Sequence, residues 1–401
     1  MSEFDAAIRD NRFHPFTLKL PGPSGKLTVV QKRHRFHFGS NLFGLCHRKG
    51  AEFDLYRSRA SELWNAGTLP FYWGRYEPKE GQIDAEGVRA AAVSARESGF
   101  TLKGHPLCWH TVGADWLLDY DTQTILEKQL ERIRREVSSY RGLIDVWDVI
   151  NEVVIMPVFN KYDNAVTRLA QKFGAVELTL LCFQAAREAN PDATLLINDF
   201  DLSPAYERLI AELLDRGCPI DAIGLQTHQH EGYRGAETVA GYLERFAKLG
   251  LPLHFTENTI LSGDLAPKVD DLNDVHRDDW PSTPEGEARQ TIQAEEFYKQ
   301  LYAHPMVKSI VWWDLEDGNW LNAPGGLVRK DLSPKPAFHR LKELIKGEWW
   351  FPETEFPWTG RPVTITAPEG DYEARIGSRT WEFSLDRSRP EVVLSSPSSP
   401  V

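Results

Sequence analysis

Apolar, β-branched runs of strand length recur along this 401-residue chain, separated by longer stretches whose apolar residues fall at helical spacing. The clearest run is Leu143-Ile-Asp-Val-Trp-Asp-Val-Ile-Asn-Glu-Val-Val154, which ends in Asn151-Glu152 where such a strand should meet solvent. Comparable runs lie at 35–43, 68–73, 100–110, 193–199, 221–228, 251–257 and 307–314. Helical spacing predicts helices over 51–65, 84–98, 123–139, 165–189, 203–215, 236–248, 285–303 and 335–346, several of them closed by Gly or Asn-Pro. Eight strands alternating with helices predict an α/β fold of the (β/α)8 TIM barrel type. An open doubly wound sheet usually has fewer units and a Gly-rich first turn, and no G-x-G-x-x-G occurs here.

The two ends of the chain carry a different pattern. Residues 15–38 alternate in the strand manner, with Phe16-Thr-Leu-Lys-Leu and Lys26-Leu-Thr-Val-Val-Gln-Lys flanking a Pro-Gly-Pro-Ser-Gly cluster, which predicts a hairpin. Gly39 is expected to give the first barrel strand a tight exit. Beyond the last helix, Val363-Thr-Ile-Thr and Arg379-Thr-Trp-Glu-Phe-Ser-Leu read as short strands. The expected organisation is an N-terminal hairpin segment (1–34), a barrel (35–348), and a C-terminal β-rich segment (349–394) that joins the hairpin in a small subdomain. A disordered Ser/Pro tail (395–401) follows.

Charge and composition narrow the partners. A formal net charge of −12 disfavours nucleic acid and anionic membranes, both of which select basic surfaces. The four cysteines form no C-x-x-C pair and read as buried thiols. The N-terminus lacks a basic and apolar secretory leader, which predicts a cytoplasmic protein unless a leader precedes this sequence, and no apolar run approaches membrane-spanning length. Thirteen tryptophans and twelve tyrosines suit stacking on sugar faces and equally suit a large core.

Polar residues collect at the C-terminal ends of the predicted strands, where barrel active sites sit. They are His105, Trp109 and His110; Asn151 and Glu152; Asn198 and Asp199; Gln226 and His228; Glu257; Trp313 and Asp314. Glu152 and Glu257 end the fourth and seventh strands and so face each other across the barrel mouth. Two facing carboxylates are what glycoside hydrolysis uses, one to protonate the leaving oxygen and one to attack or to activate water. A single strand-end Glu could equally be an ion-pair partner or a metal ligand. His228-Gln-His230 is the nearest approach to metal-ligand spacing, with a hydrogen-bonding role the default, so no metal and no cofactor is expected.

The motifs Gly104-His-Pro-Leu-Cys-Trp-His110, Trp147-Asp-Val-Ile-Asn-Glu152, Ile197-Asn-Asp-Phe200, Gly224-Leu-Gln-Thr-His228, Thr256-Glu257 and Pro334-Lys-Pro-Ala-Phe338 together resemble the ordered signature of glycoside hydrolase family 10, the endo-β-1,4-xylanase family. The resemblance implies a retaining enzyme with Glu152 as acid/base and Glu257 as nucleophile. It also implies that Asn151 bonds the sugar 2-hydroxyl, that His228 orients Glu257, that His105, Trp109 and Gln226 line the −1 site, and that Trp313 and Trp320 wall it. Retention requires the two carboxyl groups to lie roughly 5 to 5.5 Å apart.

Three positions depart from the family pattern. Thr68-Leu-Pro-Phe-Tyr72 stands where the family carries the polar residues of Glu-Asn-x-x-Lys before Trp73, Val112 replaces a Gln, and Thr259 replaces an Asp. The expected substrate therefore shifts from polymeric xylan to short β-1,4-xylosidic oligosaccharides or related glycosides. A β-glucosidase-like or saponin-deglycosylating enzyme is the alternative, and a non-catalytic carbohydrate-binding barrel a further one.

Overall fold

The computed structural model describes residues 3–22 and 24–395, and there the eight apolar runs form eight parallel strands closed into a barrel. In chain order the strands are His37–Asn41, Ala66–Pro70, Thr101–His105, Val146–Asn151, Thr194–Asp199, Ala222–Gln229, Leu253–Ile260 and Val307–Trp312. The last pairs with the first, Ser309 opposite His37 through Trp312 opposite Ser40, which completes the ring. Every residue of the fourth and seventh strands is buried, because parallel strands are covered by barrel side chains on one face and by helices on the other.

Two glycines are required by close packing inside the wall. A Cβ on Gly104 would lie 2.2 Å from the Trp147 ring, and one on Gly39 would lie 2.7 Å from the Ala66 carbonyl oxygen. Gly39 therefore lets neighbouring strands approach and does not form the expected exit turn.

The helices follow the predicted spacing closely, from Gly50–Leu63 to Pro336–Glu343. Asp121, Asn164, Ser203 and Thr283 each accept a bond from a backbone N–H of the first turn they precede, which fixes where those helices begin. The long helix expected over 165–189 is instead two, Ala165–Phe173 and Ala175–Ala189, because Gly174 at φ 85 and ψ 151 leaves the helical region. Among the described residues no helix is long and apolar enough to cross a membrane.

At the chain ends the expected hairpin does not form. Residues Phe13–Lys19 lie between Val363–Pro368 and Glu391–Val393 in one sheet, while Gly25–His34 lies between Thr354–Trp358 and Gly370–Ile376 in another that ends with Arg379–Leu385. The alternating apolar residues explain this exchange of partners. Phe16 and Leu18 of one sheet and Leu27 and Val29 of the other pack into a common core with Trp358, Ile365, Tyr372 and Trp381 from the tail, which a two-stranded hairpin could not supply. The N-terminal segment also begins with a helix, Glu3–Arg12, that the strand pattern did not predict. Its Arg12 guanidinium donates to the carbonyls of Tyr302, His304 and Val307 at 2.6, 2.6 and 2.9 Å.

The terminal sheets meet the barrel at the starts of its strands. Arg33 donates to the Asn65 carbonyl and Thr101, and His34 bonds the Ile345 carbonyl at 2.8 Å. The strand ends, with their polar residues, are left clear on the opposite face. The expected disordered tail lies, apart from Ser395, outside the described residues.

Candidate active site

Glu152 sits one residue beyond the fourth strand with φ 59, a conformation a non-glycine residue adopts only at some cost, held by its backbone N–H bonding the Asn198 carbonyl at 2.7 Å. That twist directs its carboxylate inward. Oε2 accepts from the Trp109 indole N–H at 2.7 Å and Oε1 from Gln226 at 3.4 Å. Both donors are neutral. Burial pushes the Glu152 carboxyl up to about 8; the Trp109 bond opposes the rise, and the negative charges of Glu257 and Asp199 add to it.

Glu257, within the seventh strand, is buried between two imidazoles. Its Oε2 lies 3.1 Å from His228 Nε2, and its Oε1 accepts from Asn198 at 2.9 Å and lies 3.9 Å from His105 Nε2. Burial works to raise this carboxyl too, but the charges of His105, His228 and Lys103 and the His228 hydrogen bond outweigh it and hold Glu257 below its ordinary range. Behind His105 stands a pair that the sequence reading did not single out. Asp148, fully buried, accepts from His105 Nδ1 at 2.7 Å and from the Lys103 ammonium at 2.6 Å. Burial raises Asp148, and Lys103 and His105 overcome that and keep it low. A signal was present: Lys103 and Asp148 are charged residues inside buried strands.

The two carboxylates are tied by a chain of amides. Gln226 Nε2 donates to Asn151 Oδ1 at 3.0 Å, Asn198 Nδ2 donates to the same oxygen at 2.8 Å and to Glu257, and Thr256 donates to Asn198 Oδ1 at 2.6 Å. With Asn151 Oδ1 doubly occupied as acceptor, the donor side of that amide is the group it can offer a ligand.

Aromatic rings close the chamber. Trp313 is edge-on to His105 at 5.4 Å and to His228 at 6.1 Å, and Trp320 lies 4.4 Å from His228. All nine residues expected to form the site, Glu152, Glu257, His105, Trp109, Asn151, Gln226, His228, Trp313 and Trp320, therefore meet in one contiguous cluster. The other strand-end residues do different work. Asp199 turns away to accept the Val154 and Asp201 backbone N–H groups, Asp314 is held by Asn41 and the Trp320 N–H, and His110 packs against Phe159. His230 is buried against Trp320, and among the described residues no cluster of three His, Cys, Asp or Glu is placed to hold a metal.

Residues 70–344 match the family model described as Glycosyl hydrolase family 10. The chain belongs to that family. Family 10 relatives include endo-1,4-beta-xylanase A of Xylanibacter ruminicola, 25% identical over 310 residues covering 67% of this chain and 79% of the relative. The endo-1,4-beta-xylanase of Geobacillus stearothermophilus is 27% identical over 290 residues, covering 67% and 84%. The chain spans only 39% of a longer relative, the endo-1,4-beta-xylanase/feruloyl esterase of Xylanibacter ruminicola. Among solved structures, that of a family 10 protein from Paenibacillus barcinonensis superposes with a TM-score of 0.64 at 22% identity, over 78% of this chain and 96% of that one. Xylanase 10B from Thermotoga petrophila, in complex with xylobiose, gives 0.62 at 22% identity over 78% and 95%. These two likenesses carry the barrel fold.

Each departure from the family 10 pattern has a place in the structure. Tyr72 packs its ring 5.6 Å from Trp109, 5.7 Å from His105 and 5.8 Å from Phe43, so an aromatic plate stands where the family sequence carries Lys. Thr259 Oγ1 meets His228 Nδ1 at 3.0 Å, a neutral partner in place of a carboxylate. Val112 takes φ 47 and uses its carbonyl to accept from the Gly74 N–H at 2.8 Å.

Proposed function

We propose that this family 10 glycoside hydrolase cleaves β-1,4-xylosidic or related linkages in short oligosaccharides or glycosides, with retention of anomeric configuration. The observation that carries the reading is the opposite treatment of two carboxylates in one chamber: Glu152 is pushed up to about 8 and Glu257 held below its ordinary range. At neutral pH one is therefore an acid with a proton to give and the other an anion able to attack.

In the first step Glu257 attacks the anomeric carbon while Glu152 transfers its proton to the departing oxygen, so the glycosidic bond breaks as the glycosyl ester forms. Glu257 then carries no charge, one of the contributions raising Glu152 is gone, and Glu152 can accept a proton from the water that hydrolyses the ester. His228 and His105 keep Glu257 ionised and aimed, with Asp148 and Lys103 fixing His105 from behind. Asn151 offers its amide donors to the sugar hydroxyl next to the reacting carbon, and Trp313 and Trp320 face the apolar sides of the ring. Names of the relatives support xylose as the glycone, while the aromatic plate at Tyr72 favours substrates that do not extend far on that side.

Incubation with xylobiose, xylotriose and paired β-xylosides and β-glucosides, followed by proton NMR of the first-formed sugar, tests this reading. Initial release of the β-anomer is expected, with xylosides preferred. The α-anomer would overturn retention, a preference for glucosides would favour the β-glucosidase-like alternative, and no turnover of any β-glycoside would remove the hydrolase reading altogether.

A further inference from the structure

The loop that leaves Glu152 reads Val153-Val-Ile-Met-Pro-Val-Phe159, seven consecutive residues without one polar side chain. Part of its backbone is engaged: the Val154 N–H is held by Asp199, the Ile155 carbonyl accepts from the Val158 and Phe159 N–H groups, and the Pro157 carbonyl accepts from Gln171. Met156 and Val153 are buried as anchors, whereas Val158 is 68% exposed. A contiguous aromatic path runs from the Glu152 carboxylate outward. Trp109, which bonds Glu152, lies 6.1 Å from His110, which lies 4.4 Å from Phe159, which in turn lies 4.9 Å from the exposed ring of Tyr162.

Two further exposed apolar side chains lie on loops at this end of the barrel. Phe200, just past the fifth strand, and Leu265, in the loop after the seventh, are 45% and 41% exposed. Val158, Tyr162, Phe200 and Leu265 thus place four of the nine large exposed apolar side chains described for the molecule on loops at the end of the barrel that carries Glu152. The rim is also braced. Lys161 spans from the loop after the fourth strand to the loop after the seventh, with its ammonium 2.7 Å from both Asp271 and Asp274. Those strands lie nearly opposite in the ring, so this contact crosses the barrel mouth and ties the apolar loop after the fourth strand to the Asp-rich loop after the seventh.

We propose that the leaving-group side of the site is built for an apolar aglycone, an alkyl, aryl or polycyclic group, and not for another sugar. This rests on the assignment of Glu152 as the acid/base, because the residue that protonates the departing oxygen defines the side on which the leaving group lies. A sugar placed against Val153–Phe159 would bury hydroxyls with no side chain to receive them, which a site selective for sugars avoids. An apolar group loses nothing there and gains by removing exposed hydrocarbon from water on both partners.

A series of methyl, butyl and hexyl β-xylosides tests the proposal, since the departing oxygen has nearly the same chemistry in each and only the hydrocarbon changes. Complete burial of a methylene is worth about fourfold in binding, so a rim that covers one side of the chain should give about twofold per methylene in kcat/KM, or roughly thirtyfold from methyl to hexyl. The same series is titrated calorimetrically into the Glu152→Gln protein, which separates binding from chemistry. Affinity that rises with chain length, and a slope that flattens in the Val158→Ser/Tyr162→Ser double variant, are expected. Affinity independent of chain length, or xylobiose bound more tightly than hexyl xyloside, would overturn the apolar site. If the wild type turned over none of these compounds while affinity still rose with chain length, the hydrolase reading would fall and the apolar site would stand.

Discussion

The fourth and seventh strands each bring a glutamate to the barrel mouth, Glu152 one residue past its strand and Glu257 within its own, and the protein treats the two in opposite ways. Around Glu152 the donors are an indole and an amide, and beyond them lies hydrocarbon. Around Glu257 there are two imidazoles with a lysine behind them. Burial is common to both, so burial alone does not decide which carboxyl keeps its proton. The sign of the neighbouring charge does, and it reverses a desolvation cost that would otherwise raise both groups.

The comparison can be broken hardest at Glu257. Glu257→Ala removes the attacking group and should lower kcat by about 10^4 to 10^6, as loss of a nucleophile does elsewhere. It also removes a negative neighbour, so the Glu152 carboxyl, followed by carbon-13 NMR, should titrate below its wild-type position. An unchanged Glu152 titration would show that the two groups do not sense each other.

Glu152→Gln comes next, with a drop of about 10^2 to 10^4 in kcat for substrates whose leaving oxygen needs a proton. This variant has a second signature. The folded pKa of Glu152, about 8, stands above its ordinary value of 4.5, so its contribution to stability is fully present below 4.5 and is lost as pH rises through 8. The Gln variant should therefore gain stability over the wild type as pH climbs from 5 to 9, read from urea midpoints. A gap that shrinks over that range would contradict the raised pKa.

Lys103→Met acts one step further back. It leaves Asp148 charged, buried and short of a partner, which should cost about 3 to 5 kcal/mol of unfolding free energy. Because Lys103 also helps keep Glu257 ionised, the acid limb of the kcat/KM profile should move to higher pH. A limb that stays in place would confine Lys103 to a structural role. The smallest effect is expected for Trp109→Phe, which removes the hydrogen bond that favours ionised Glu152. The alkaline limb should then rise by less than about one pH unit.

How much of this was legible in the sequence follows from what each feature depends on. The eight barrel strands were readable because strands buried on both faces become unbroken apolar runs, and Glu152 and Glu257 were readable because a charged residue ending such a run stands out. The partners of Phe13–Lys19 and Gly25–His34 were not, since alternation says that a strand has two faces and not which distant strand covers them. Lys103 and Asp148 lay in plain view at 103 and 148, yet each acquires meaning only when the neighbouring strands bring them to 2.6 Å. The bridge from Lys161 to Asp271 and Asp274 joins two loops whose shapes no local pattern specifies. The Gly174 break was missed because apolar spacing continues through it.

The small sandwich formed by the two chain ends has a consequence for how the protein is made. The strand Phe13–Lys19 emerges from the ribosome well before its partners, since Thr17 is hydrogen-bonded to Thr364, 347 residues later. At ordinary elongation rates its partners follow after roughly 20 to 70 s. Throughout that time the strand presents unpaired backbone and apolar residues such as Phe16 and Leu18 to the crowded solution, a state prone to pairing with another chain. A segment synthesised 347 residues later thus shields the earlier one, and loss of the closing strands by frameshift or proteolysis should appear first as aggregation of a nascent or nicked chain whose catalytic barrel is otherwise complete.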